Sequence, residues 1–144
     1  MSEFKKCLEE KKIVKVTNDK EWIEKERTEA EYDLDRAKTS LENKDYKWAI
    51  VQGYYSMFHA AKALVLSEGY REKSHHCLIV AVRELFLGKG QMSEELVVKL
   101  EEAMDLRHQA DYGLEYTSEE ASILIENATE FLQAAEDLLP KKGK

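Results

Sequence analysis

The chain has 144 residues, 43% of them hydrophobic and 35% charged, with a formal net charge of −7. That length and apolar fraction suit one domain built around one core. The acidic balance excludes a broad phosphate-backbone footprint, which needs clustered Lys and Arg, but leaves room for a single local anion cleft.

Cys7 and Cys77 have neither metal-ligand spacing nor the pattern of a disulfide framework, so the expected compartment is a reducing cytoplasm. The first sixteen residues hold no apolar run of signal-peptide length. Residues 3–11 read as a weak, charged helix inside an N-terminal extension, 1–19, that closes in a loop at 17–19. Asn18 is the expected cap of the next helix, with Glu21 as its return partner. From 20 to 43, Ile23, Ala30, Leu34, Ala37 and Leu41 fall on one narrow face. The turn ENKD follows, with Asp45 as the next cap.

The helix from about 45 to 68 is apolar in nearly every direction: Trp48, Ile50, Val51, Tyr54, Tyr55, Met57, Phe58, Leu64, Val65 and Leu66. Such a helix is surrounded on most sides, and a second subunit is expected to cover part of it. A strip of Gln52, Ser56 and His59 stays polar, which argues against a membrane span. Gly69 ends the helix in a left-handed cap. After a loop at 70–73, Ser74 caps a helix to Leu87 with Leu78, Ile79, Val82, Leu85 and Phe86 inward, broken by GKGQ. Ser93 starts the next helix, which runs to 110–112. Thr117 and Glu120 form a capping box for the last, whose stripe is Ile123, Leu124, Ala128, Phe131, Ala135, Leu138 and Leu139. Pro140 and the tail 140–144 end it. The expected fold is all-α: an antiparallel bundle of four to five helices spanning 20–139.

The stretch DLRHQADYGLEY breaks the pattern of plain helix packing. On a helical wheel Leu96, Leu100, Ala103 and Ala110 cluster on one side, and Arg107 falls among them, in the middle of the apolar stripe. Asp111 follows at i+4 on the same face, His108 sits at its edge, and Tyr112 points away. An inward guanidinium needs an anionic neighbour, because desolvating its charge costs several kcal/mol. Either Asp111 supplies it and the pair fixes packing, or the face opens on a groove that takes a phosphate or a partner's acidic group.

Other constellations are weaker. His75, His76 and Cys77 are adjacent and so point in different directions, which makes no ligand pair, and no metal or cofactor is expected; a solvated helix start is the plainer reading. His59 on its polar strip reads as a satisfied interior histidine, or else as part of the Arg107 groove together with Gln52. Tyr54, Tyr55 and Phe58 read as packing, with base stacking as the alternative.

Two stretches together, YYSMFHAAKALVLSEGYREKSHHCLIVAVRELF and DLRHQADYGLEY, resemble the HEPN domain (higher eukaryotes and prokaryotes nucleotide-binding), more narrowly its small stand-alone prokaryotic branch. DYKWAIVQGYYSMFHAA and TSEEASILIENATEFLQAAEDLL fit as well, so the resemblance covers roughly 20–139. It implies a helical bundle that dimerises, and a partner of the minimal nucleotidyltransferase type in toxin–antitoxin operons. It also implies a nucleotide or RNA ligand. Many such domains are metal-independent ribonucleases whose motif is an arginine, a polar residue, and a histidine four to six residues further on. Arg107 matches the arginine and His108 takes the polar position, but Asp111 and Tyr112 stand where the histidine belongs. The expected cleft is therefore Arg107, His108, Asp111 and Tyr112, with His59 and Gln52. Its expected role is binding; nuclease chemistry by Arg107 and His108, or a purely structural dimer, are the alternatives.

Overall fold

The computed structural model describes residues 2–113 and 116–141. Six α-helices and one two-stranded ribbon make up the described residues: α1 (Glu3–Glu9), β1 (Ile13–Lys15), α2 (Lys20–Glu42), α3 (Tyr46–Ser67), β2 (Tyr70–Glu72), α4 (His75–Val82), α5 (Glu94–Asp111) and α6 (Ser118–Leu138). The helical expectation holds in outline, but the chain is not purely α-helical.

Helix ends follow side-chain chemistry. Asp19, not Asn18, caps α2, its carboxylate accepting from the amides of Glu21 and Trp22 at 3.0 and 3.2 Å. Asn18 instead donates across the fold to the carbonyl of Ser67. Asp45 precedes α3 without a side-chain cap bond. Ser74, Ser93 and the Thr117–Glu120 box cap α4, α5 and α6 as expected. Gly69, at φ +84°, closes α3 by donating to Leu66 O. Beyond α4 the chain continues through one π-helical turn, Arg83–Leu87, closed by Gly88 N–H donating to Arg83 O at 2.7 Å.

Helix α3 is the axis of the molecule. It packs against α2, α6, α5, α4 and β2, and Ala49, Ile50, Met57, Ala61, Ala63, Leu64 and Val65 are sealed. Within one chain, α2, α4, α5, α6 and β2 already enclose most of α3. Small residues make this possible, because they let other helices approach closely. A Cβ on Gly53 would run into the Leu124 side chain of α6. Trp48, near the start of α3, does stay half exposed, and Ile123 of the α6 stripe is also outward. Facing pairs on α2 and α3 (Ser40 with Gln52, Ala30 with Ser56, Glu26 with His59) run in opposite order, so the two helices are antiparallel.

The N-terminal segment is part of this body rather than an appendage. β1 pairs antiparallel with β2, Ile13 opposite Glu72 and Lys15 opposite Tyr70, and Ile13 is fully buried. The segment expected to be a loop at 70–73 is thus mostly strand. α1 packs on α4, and Cys7 is disulfide-bonded to Cys77, their Cα atoms 6.1 Å apart. This overturns the reading of two unrelated cysteines and removes the ground for expecting a reducing compartment. Among the described residues no helix is long and apolar enough to cross a membrane.

Candidate functional site

Arg107 projects from the last turn of α5, which is held by the buried Val97, Leu100, Ala103 and Ala110. Its side chain is 22% exposed, with Nε entirely enclosed. The guanidinium carbon lies 5.2 Å from the ring centre of Tyr55 and 5.9 Å from that of Tyr54, both on α3. Nε is 2.9 Å from Asp111 Oδ2, yet the approach is not aligned and Nε has no hydrogen bond. Charge proximity and a directed bond therefore part company, and the geometry decides: Asp111 neutralises Arg107 only loosely, from a partly exposed position.

Behind the guanidinium stands a small aromatic wall. The Tyr54 hydroxyl and His75 Nδ1 are 2.8 Å apart, and the Phe58 and His75 rings lie 4.5 Å apart. Burial, opposed by Arg107, raises the Tyr54 phenol well above its ordinary range, so it stays protonated. Burial lowers the His75 pKa, and the charges of Arg107, His108 and Lys62 lower it further. His75 is thus a neutral ring at neutral pH. The Tyr54 hydroxyl, which can donate or accept, engages Nδ1 and leaves Nε2 as the nitrogen free of that contact.

Residues 20–138 match the family profile described as HEPN domain. The chain belongs to the HEPN domain family. A protein named "Putative toxin" from Methanocaldococcus jannaschii is 36% identical over 104 residues, which span 72% of this chain and 78% of the relative. A second protein of that organism with the same designation is 29% identical over 123 residues, 84% of each chain. A protein named "UPF0332 protein" from Archaeoglobus fulgidus is 35% identical over 107 residues, 73% of this chain and 85% of the relative.

In this HEPN chain the residues singled out from sequence divide into two groups. Arg107 and Asp111 stand together, with exposed His108 beside them and Tyr112, 75% exposed, at the helix end. Residues 114 and 115 of the same stretch, and 142–144 of the tail, lie outside the described residues. Gln52 and His59 face the other way, onto α2. Gln52 is 2.7 Å from the Ser40 hydroxyl, and the Ser56 hydroxyl between them donates to Ala30 O. His59 Nδ1 is 2.6 Å from Glu26 Oε1. Lys62 lies between Glu26 and Glu72 at 3.7 and 3.9 Å. Burial pushes the Glu26 carboxyl up, but the His59 hydrogen bond and Lys62 outweigh it and the pKa is lowered. Contact with the Tyr55 ring, 6.2 Å between centroids, is what connects His59 to the Arg107 side.

Two functional candidates escape a helix-by-helix reading. His75 is one. A fully buried tyrosine needs a partner for its hydroxyl, and Tyr54 was the available hint that some polar side chain had to come in from another element. Arg27 is the other, a second inward arginine. It lies four residues after Ile23 and three before Ala30, on the α2 stripe, and only 3% of its side chain is exposed. Glu136 accepts from its Nε and Nη2 at 3.3 and 2.6 Å, Glu24 accepts at 3.0 Å, and the Pro140 carbonyl accepts as well.

Proposed function

We propose that this HEPN protein is a binding module for a nucleotide phosphate, centred on Arg107, and that it works as one member of a toxin–antitoxin pair. The observation that carries the reading is the unfinished coordination of Arg107. The guanidinium is stacked on Tyr54 and Tyr55, yet its enclosed Nε lacks an aligned acceptor. Among the described residues no hydrogen bond reaches its terminal nitrogens. A phosphate oxygen is the natural complement of such a fork. Neutral His75 and exposed His108 bring ring nitrogens nearby, and Tyr55 offers an aromatic face to a base. Two relatives carrying the toxin designation support the two-component setting. In that setting the partner is a minimal nucleotidyltransferase and the HEPN chain is a homodimer, which sedimentation or light scattering would measure.

Binding fits better than metal-free RNA cleavage. Cleavage needs a group to accept the 2′-hydroxyl proton. Asp111 and Tyr112 stand where the family's nuclease motif carries its histidine, so that proton acceptor is missing from its motif position. Calorimetric titration with ATP tests the reading. Arg107→Ala should weaken binding by roughly tenfold or more, consistent with loss of a charge-assisted bidentate contact, while circular dichroism stays unchanged. Equal affinity in the variant would remove Arg107 from the role. Arg107- and His108-dependent cleavage of RNA by the purified protein would replace it with the nuclease alternative.

A further inference from the structure

One face of α2 carries Glu26, Glu29 and Asp33, at successive turns, toward His59 of α3. One oxygen from each of Glu29 and Asp33 and one ring nitrogen of His59 lie within 4.8 Å of one another. His59 Nε2 is 3.7 Å from Asp33 Oδ2. On the far side of the ring, Glu26 holds Nδ1 at 2.6 Å. We propose that Glu29, Asp33 and His59 bind a first-row divalent transition ion, Zn2+ or Co2+ in preference to Mg2+ or Ca2+.

The geometry suits such an ion. Ligands bound at about 2.1 Å to one metal lie roughly 3–4.2 Å apart, so the triad closes with a small rotation of the exposed Glu29 side chain. A metal-bound histidine generally gives its second ring nitrogen to a carboxylate, which sets the tautomer and aims the free nitrogen at the metal. Glu26 already occupies that place. The charge count points the same way. Lys62, the lysine paired with Glu26, is itself divided between Glu26 and Glu72. Glu29 makes no ion pair among the described residues. One imidazole with two carboxylates selects against the all-oxygen shells of Mg2+ and Ca2+. Spacing within one helix does not disclose this triad, because its ligands come from two.

The test uses the full chain with the Cys7–Cys77 bond intact, so that thiols do not compete, after dialysis against EDTA. Calorimetric titration with Zn2+ should show one saturable site, and Co2+ should give the visible absorption of nitrogen and oxygen coordination. Glu29→Gln alters an exposed side chain and leaves the fold alone, so its weaker binding is diagnostic. Asp33→Asn should weaken binding likewise, and Glu26→Gln by about 10- to 100-fold through the ring's orientation. His76→Ala, which removes an exposed histidine paired with Glu3, should change nothing. The proposal is overturned by the absence of saturable binding, or by binding that survives Glu29→Gln and Asp33→Asn.

Discussion

Arg27 and Arg107 occupy equivalent places, each in the middle of the apolar stripe of its helix, and the fold completes one and leaves the other open. Around Arg27, Glu136, Glu24 and the Pro140 carbonyl accept from Nε, Nη1 and Nη2. Burial would lower its pKa, but Glu136 above all, with Glu24, holds it raised. Around Arg107 two aromatic rings replace the carboxylates, and the single acid within reach is misaligned. An inward arginine on a helical wheel thus announces a need for a partner but does not say whether the chain itself meets it. Where it does, the arginine is part of the fold; where it does not, the arginine is a candidate for chemistry with something else.

That contrast can be broken by experiment. The largest effect belongs to the Arg107 side, where the Cys7–Cys77 bond ties α1 to the start of α4, two residues from His75. Reduction releases a crosslink between residues 70 apart, and the chain-entropy account gives a loss of about 4 kcal/mol. Melting with and without dithiothreitol measures it, and an unchanged midpoint would show that the bond does not constrain the unfolded chain. Next comes Arg27→Ala, which strands Glu136 partly buried without its cation. The cost should be about 2–4 kcal/mol, below that of a fully enclosed pair because Glu136 keeps some water. Thermal denaturation should fall by roughly 6–12 °C. Arg107→Ala should cost only about 1 kcal/mol, the scale of a cation–π contact and a loose ion pair. Equal destabilisation by the two substitutions would erase the distinction.

The smallest effect is the most specific. His75 has a folded pKa lowered below its ordinary 6.5, by burial first and then by Arg107 and His108. Below that value the unfolded chain takes up a proton that the folded ring resists. Stability contributed by the neutral ring is therefore complete above 6.5 and declines as pH falls toward the folded pKa. Arg107→Ala should move the His75 midpoint, followed by NMR, back toward 6.5, and Arg27→Ala should leave it in place.

The long elements were legible because helical periodicity is a local property. The faces of α2, α5 and α6, the Thr117–Glu120 box and the Gly69 cap all follow from residues within a turn or two of each other. Apart from the Asn18–Asp19 cap, the failures are non-local. β1 shows three strand residues whose partner lies more than fifty positions away, so no turn chemistry connects them. Cys7 and Cys77 are joined across the same gap. How much of the apolar α3 one chain can enclose depends on the closeness allowed by Gly53 and its alanines, which cannot be judged from one helix. For the candidate site, Arg107 with Asp111 was visible on the wheel, and His75 was not, since it arrives from α4 to meet Tyr54. Asn18 and Asp19 are both good caps, and the backbone distinguishes them by a single residue.

The small ribbon bears on how the protein can be trimmed. The family match begins at residue 20, and a recombinant fragment cut there would discard β1, with Ile13 opposite Glu72 and Lys15 opposite Tyr70. Strand β2 would then present unpaired amides and carbonyls to solvent beside the apolar surface that Ile13 covers. An uncovered strand edge of that kind invites intermolecular pairing and precipitation.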